Sequence, residues 1–155
     1  MLAPRLHHFL DDRHVPYETL THDRTITAQE TANAAQIGSR HFAKTVMVKV
    51  DGKLAMVVMP AAYRTDMARL SRALDGATVE LAGEDEFRNA FPDCELGAMP
   101  PFGNLYGIPV HADARLAGEE TIAFNAGTHT DLVRMPCAEF ERLAQPRMLH
   151  LAQVM

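Results

Sequence analysis

The sequence predicts a strand-rich α+β domain, and three observations carry that expectation. Two apolar, β-branched runs, Thr45–Val50 and Leu54–Met59, flank Asp51-Gly52-Lys53. Asp-Gly between such runs is a strong hairpin signal, because a type I′ turn needs positive φ at its central residues. Other short strand-like runs fall irregularly among helical segments, so the strict βαβ alternation of a Rossmann fold is missing. At 155 residues the chain suits one domain over residues 1–155, burying roughly 68–70% of its unfolded surface without metal or disulfide staples.

The elements follow in order. Leu2, Leu6, Phe9 and Leu10 recur at helical spacing and predict an amphipathic helix ending near His14-Val15-Pro16. Tyr17 to His22 reads as a short strand. Thr27-Ala28-Gln29-Glu30 is a capping box that starts a helix expected to stop at Gly38. After the hairpin, whose near-continuous hydrophobicity predicts two largely buried strands, Thr65-Asp66 opens a helix. That helix carries Met67, Leu70, Ala73 and Leu74 on one face and has Gly76 as terminator. Thr78 to Leu81 reads as strand, and Glu84-Asp85-Glu86 puts acids in the first turn of a short helix. Cys94 to Leu105 is expected to be loop. Gly107 to His111, Thr121 to Asn125 and Leu132 to Met135 read as strands, and Cys137 to Ala144 as a final helix stopped by Pro146. The tail from His150 to Met155 is either an interface or a frayed end.

Composition removes several function classes. Fifteen Lys+Arg against twenty Asp+Glu give a net charge of −5, which excludes a highly basic nucleic-acid coat but not a local basic patch. Two cysteines, Cys94 and Cys137, without a CxxC argue against a zinc ribbon or disulfide framework and for reduced thiols in the cytoplasm. Asp11 and Asp12 interrupt any signal-like run, and no apolar stretch nears the ~20 residues that span a bilayer. No membrane association is expected.

There is no GxGxxG and no GxxxxGK[ST], and neither Ser39 nor Ser71 lies in GxSxG. His7-His8 point about 100° apart on a helix and make a poor chelating pair. His111-Ala112-Asp113 can place two ligands on one strand face, but nothing resembles HExxH, so neither metal nor cofactor is expected. Cys94 paired with His111 or His129 is a conceivable nucleophile, set against the tendency of cysteine to be buried. Three segments are less readily explained by packing. Lys44 enters a buried strand in Ala43-Lys44-Thr45, either snorkelling from an edge or anchoring an oxygen in a pocket. Gly97-Ala98-Met99-Pro100-Pro101-Phe102-Gly103 is a stiff loop with glycine ends, either plain surface or a wall of exposed N–H groups. Asn125-Ala126-Gly127-Thr128-His129-Thr130-Asp131 is a polar cluster between strands, either an Asx-type turn or part of a site.

In their order and spacing these segments resemble the YbaK / prolyl-tRNA-synthetase-associated domain family of aminoacyl-tRNA deacylases. The features are Thr27 to Glu30, Ala43-Lys44-Thr45-Val46, the Asp51-Gly52 hairpin and Pro60 to Asp66. Leu81-Ala82 with its acidic helix, the Gly97–Gly103 loop, Gly107-Ile108-Pro109-Val110 and the Asn125–His129 turn complete the set, from Tyr17 to Leu143. The resemblance implies a mixed, curved, partly barrel-like sheet with helices packed around it. It implies an enzyme that hydrolyses the ester of a mischarged small amino acid on tRNA, here freestanding and acting in trans. Its partner would be the aminoacyl-tRNA acceptor end, with a synthetase engaged transiently. The family's lysine maps onto Lys44, its substrate loop onto Gly97 to Gly103, and its later Gly-x-His stretch onto Gly127-Thr128-His129. Catalysis is then expected from Lys44 and His129. Substrate contacts are expected from Thr45, Gly97, Ala98, Met99, Pro100, Pro101, Phe102, Gly103, Gly127 and Thr128.

An aminoacyl ester is already activated, so its hydrolysis asks for a positioned water and charge stabilisation rather than a strong nucleophile. Loop N–H groups would stabilise the oxyanion, Lys44 would hold a phosphate or the ester carbonyl, and His129 would orient water or the amino group. Lys44, Lys49, Lys53, Arg40 and Arg64 are candidates for a local basic rim. Two other readings stay open: a non-catalytic aminoacyl- or nucleotide-binding module of the same fold, and a thiol hydrolase using Cys94.

Overall fold

The computed structural model describes residues 2–25, 27–38 and 40–154. They form α1 (Pro4–Asp12), β1 (Glu18–Thr21), α2 (Ala28–Ala34), β2 (Ala43–Val50) and β3 (Lys53–Pro60). β4 (Tyr63–Thr65), α3 (Met67–Ala73), β5 (Val79–Leu81) and α4 (Glu84–Phe87) come next. After a long connection follow β6 (Val110–Asp113), β7 (Thr121–Asn125), β8 (Asp131–Pro136), α5 (Cys137–Ala144), β9 (Arg147–Leu149) and β10 (Ala152–Val154).

The expected hairpin is the centre of the molecule. Asp51 (φ 50°) and Gly52 (φ 83°) both adopt positive φ, the requirement of a type I′ turn, and all eight β2 residues pair antiparallel with β3, from Ala43↔Pro60 to Val50↔Lys53. β5 pairs antiparallel with the far half of β2, while β6 joins β3, and β9 joins β6, in parallel. The result is a mixed five-stranded sheet, β5-β2-β3-β6-β9, beside a three-stranded sheet, β1-β8-β7, and a β10-β4 ribbon. A parallel bridge between Phe42 and Ala123 joins the first two. This is the mixed α+β architecture that the sequence predicts, although the sheet does not close into a barrel.

Alternation sends the strand residues to two faces. One face, including Met47, Met56, Val58, Ile122 and Phe124, packs with α1 (Leu6, Leu10) and α5 (Phe140) into the main core. Phe102 is fully buried there, its ring 5.7 Å from Phe9, 5.7 Å from Phe124 and 5.6 Å from Phe140. The other face carries two smaller clusters. Val48, Ala55, Val57 and Met59 pack with Leu70 of α3 and with Leu151, whereas Phe42, Ala123 and Leu132 pack with Ala32 of α2.

Four expectations are corrected. α2 opens with the reciprocal Thr27–Glu30 cap, both bonds 3.1 Å, but ends at Ala34 rather than Gly38, because Gln36 turns left-handed at φ 58°. The 94–105 loop ends in a 3₁₀ turn over Gly103–Tyr106, so Gly107 (φ 71°) caps that turn and β6 starts only at Val110. From Arg147 to Val154 the chain after α5 is not frayed, since β9 and β10 both pair and Leu151 is fully buried. β2 is less buried than β3, with Lys44, Thr45 and Val46 only partly covered.

Candidate active site

Lys44 lies in β2 opposite Met59. It is half-buried, and that burial pulls its pKa below the ordinary lysine range. Its ammonium makes no ion pair or hydrogen bond among the described residues. An ammonium held in a strand without a counter-charge is costly unless something else supplies the anion. Thr45, its neighbour, turns to the opposite face between Ala43 and Met47 of the main core, so the two residues cannot act on one ligand from the same side.

A single bridge between Phe42 and Ala123 ties the start of β2 to β7. It is parallel, and His41 O accepts the Ala123 N–H at 2.9 Å. Two residues further along each chain stand Lys44 and Asn125, beyond the end of that pairing. Asn125 Oδ1 is buried without a hydrogen-bond partner, and a buried orphan acceptor calls for a ligand or water. Asn125 ends β7 and leads directly into the 126–130 turn.

That turn is clamped to the loop after Cys94. Glu95 N–H donates to Gly127 O (2.7 Å) and Gly127 N–H to Ala98 O (3.0 Å). His129 N–H donates to Glu95 Oε1 at 2.7 Å, and its Nε2 donates to Leu96 O at 2.8 Å. A carbonyl oxygen only accepts, so Nε2 carries the proton and Nδ1 is left as the acceptor of a ring that is 8% exposed. The His129 N–H bond, with Arg24 at 3.3 Å as a second partner, holds the Glu95 carboxyl below its ordinary range. Gly127 must be glycine: its φ is 105°, and a Cβ there would lie 2.6 Å from Ala3 Cβ. Thr128 folds back on the turn, its hydroxyl donating to Asp131 Oδ2 at 2.5 Å and accepting the Asp131 N–H at 3.1 Å.

The structure therefore joins Gly97, Ala98, Gly127 and His129 directly, and ties the start of Lys44's strand to the one that enters their turn. It gives the rest of the loop another job. Ala98 to Gly103 are buried, with Met99 and Phe102 in the main core. Gly97 N–H donates to Met99 Sδ at 3.2 Å and Ala98 N–H to Glu95 O at 3.0 Å, and prolines 100 and 101 have no N–H. The expected wall of exposed donors is therefore not formed: the Met99 N–H takes part in no hydrogen bond among the described residues, but Met99 is itself buried in the main core.

Other candidates lose their chemistry. Burial pushes the Cys94 thiol up to about 11, and its neighbours are Tyr106 Oη at 3.4 Å and Asp93 Oδ1 at 3.7 Å, not an imidazole. A thiol that holds its proton at neutral pH is no nucleophile. Asp113 is taken by Arg115, through Nε and Nη2 at 2.9 Å each, and by Leu151 N–H at 3.2 Å. His111 beside it is pushed down by burial, and then by Arg147. Among the described residues no group of three His, Cys, Asp or Glu side chains is arranged to hold a metal. Lys49 leaves the expected basic rim for Glu86, at 2.7 Å. Sequence reasoning missed Glu95 and the orphan on Asn125. Glu95 lies 34 positions from His129 in no motif, so only the folded chain reveals the pair.

Comparison with known proteins bears on the family and the fold. The family profile described as the aminoacyl-tRNA editing domain matches residues 22–143. The chain is similar to the multifunctional Ser/Thr-tRNA deacylase ProXp-y of Escherichia coli K12, 25% identical over 151 residues that make up 94% of this chain and 90% of that protein. It is also similar to part of the proline--tRNA ligase of Corynebacterium diphtheriae, 31% identical over 101 residues, 61% of this chain but 15% of the ligase. A solved structure described as that of a proposed trans-editing enzyme for prolyl tRNA synthetase shares the fold, with a TM-score of 0.82 at 23% identity over 97% of this chain and 96% of that one. With a profile match covering most of its length and the clamp, lysine and turn in the matched region, the chain belongs to the aminoacyl-tRNA editing domain family.

Proposed function

We propose that residues 1–155 act as one unit, in trans and in the cytoplasm, to remove small amino acids from mischarged tRNA. The reaction is hydrolysis of the aminoacyl ester. Membership of the editing family over residues 22–143 is the observation that carries this reading, and the Ser/Thr-tRNA deacylase relative supports a small side chain as the target. The unpaired, half-buried Lys44 assigns the work within the site. It attracts the ester carbonyl or a terminal phosphate, which supplies the missing counter-charge. Asn125 Oδ1 accepts from the substrate's α-ammonium or a ribose hydroxyl. His129, locked by Leu96 and Glu95, offers Nδ1 to the attacking water. Gly97, Ala98, Gly127 and Thr128 shape this site through the backbone, while Thr45, Met99, Pro100, Pro101, Phe102 and Gly103 support it from the core side.

The test is single-turnover deacylation of a panel of aminoacyl-tRNAs by wild type and Lys44→Ala. The expected outcome is rapid clearance of a small-amino-acid ester by wild type and a loss of about 100-fold in the variant, the usual effect of removing one charge-stabilising group. Intact esters across the panel with a folded wild-type protein would refute the editing role and leave a binding module.

A further inference from the structure

Three buried side-chain atoms among the described residues lack a hydrogen-bond partner: His22 Nε2, His111 Nδ1 and Asn125 Oδ1. His111 belongs to the five-stranded sheet, but the other two share one face of the three-stranded sheet. Asn125 is paired with Leu132, and Leu132 with Leu20. Residues directly opposite in a sheet point the same way, as do residues two apart along a strand. Leu20 and Leu132 pack with Phe42, Ala123 and Ala32 of α2, so Asn125 lies on that face. The ladder runs one pair beyond β1, because the His22 N–H donates to Thr130 O at 3.0 Å. His22, two residues after Leu20, is therefore on the same face.

The state of the ring follows from its one side-chain bond. His22 Nδ1 lies 2.6 Å from Asp23 O, and a carbonyl oxygen only accepts, so Nδ1 carries the proton. On the neutral ring, Nε2 is then a bare lone pair, and when buried it calls for a donor. His22 is only partly covered, and Asp23 and Arg24 after it are exposed, so the ring stands at the rim of the cluster. The same segment meets the clamp twice, at Thr130 beside His129 and through Arg24, 3.3 Å from Glu95 Oε2. Two inter-strand steps and two residues along the chain put the Cα atoms of His22 and Asn125 about 12 Å apart. That is within the combined reach of the two side chains with one ribose between them. An aminoacyl ester on a terminal ribose presents two donors, the α-ammonium and the free hydroxyl vicinal to the ester. The Asn125 amide oxygen is always an acceptor and suits the charged donor. An imidazole nitrogen loses its lone pair to a proton and suits the neutral one.

We propose that His22 is a positioning residue of the editing reaction: its Nε2 accepts a hydrogen bond from the ribose hydroxyl vicinal to the ester and so fixes the terminal sugar. The inference rests on the editing reading above. It extends the site to a residue outside the lysine, loop and turn segments. It also gives the protein a means of selecting esters on RNA over esters of simple alcohols, which bring no second hydroxyl.

The experiment crosses enzyme variants with substrate variants in single-turnover deacylation. His22→Asn keeps a side-chain donor near the Nδ1 position but removes the Nε2 acceptor, whereas His22→Gln carries an acceptor about as far out as Nε2. The substrates are a small amino acid esterified to the 3′ oxygen of tRNA, with the terminal 2′ hydroxyl present or replaced by hydrogen. Wild type should cleave the deoxy ester at least about tenfold more slowly, the effect of leaving one buried acceptor unsatisfied. His22→Asn should lose about tenfold on the hydroxyl substrate and less than about twofold on the deoxy one, and His22→Gln should recover most of that loss. Equal losses of His22→Asn on both substrates would overturn the assignment, since a merely structural role acts on both alike. Wild-type rates for His22→Asn on both would overturn it as well, leaving an ordered water as the partner of Nε2. Should His22→Asn fail to fold, equal rates of wild type on the two esters would still refute the proposal, and discrimination kept by His22→Gln would support it. Failure of wild type to hydrolyse the hydroxyl-bearing ester would instead overturn the editing reading, and this proposal with it.

Discussion

Lys44 is an energetic liability to the fold. Its neighbours across the hairpin are Met59 and, along the same face, Val46 and Val57, a setting in which an aliphatic side chain would pack without penalty. Burial lowers its pKa relative to the unfolded chain. The native state therefore binds its proton less tightly, and the charged group destabilises the fold at neutral pH, where both states are protonated. Stability recovers as pH rises through the lowered native value toward the ordinary value of ~10.4. Lys44→Met should accordingly raise Tm at pH 7 while removing deacylase activity. The gain should shrink as the melt is repeated at increasingly alkaline pH. A variant that melts below wild type at neutral pH would mean that Lys44 is a structural residue with partners in solution. Glu95 has the opposite character: its depressed carboxyl strengthens the clamp above the ordinary carboxylate range, and that contribution fades as acid protonates it. The role of Glu95 is visible in no motif, whereas Lys44 stood out both by its intrusion into an apolar run and in the Ala43-Lys44-Thr45-Val46 match.

At the scale of elements, the segment between α4 and β6 is built as a plug rather than as a flap. Phe102 sits among Phe9, Phe124 and Phe140, and the chain reverses so tightly behind it that Gly103 O accepts the Ile108 N–H at 2.9 Å. A Cβ on Gly103 would lie 2.6 Å from Ile108 O, which is backbone and cannot swing aside. Gly103→Ala should therefore destabilise the protein by about 2–3 kcal/mol, measured by urea unfolding. It should also weaken the Leu96–His129 clamp that the same loop carries. Full stability in that variant would show that the reversal is looser than it looks. Elements with strong local signals were legible: the Asp51-Gly52 hairpin through its turn residues, α2 through its capping box, and α3 through Asp66 and Gly76. β4, β9 and β10 were not, because three residues carry no periodicity, and their pairing partners lie far away in sequence.

In the whole molecule, those short strands determine how the second face of the sheet is covered. β9 extends the sheet in parallel beyond β6, β10 returns to β4, and between them Leu151 is driven to zero exposure against Val57, Met59 and Leu70. The Leu151 N–H also donates to the buried Asp113 carboxylate. Leu151→Ala should cost about 2–5 kcal/mol by thermal or denaturant unfolding, more than truncation of an unanchored tail would. Loss of only a few tenths would mean that the last strands are not part of the cooperative unit. The amino-acid sequence alone determined the α+β class, the central hairpin, the major helices and the family to which the lysine, loop and turn point, because each depends on local propensity or on residues close together in the chain. Only the tertiary structure decided that Thr45 faces away from Lys44, that Asn125 Oδ1 is buried without a partner, and that Glu95 and His129 lock two loops together. Those relations depend on strand register and on contacts across long loops; a shift of one residue in β2 alone would exchange the faces of Lys44 and Thr45.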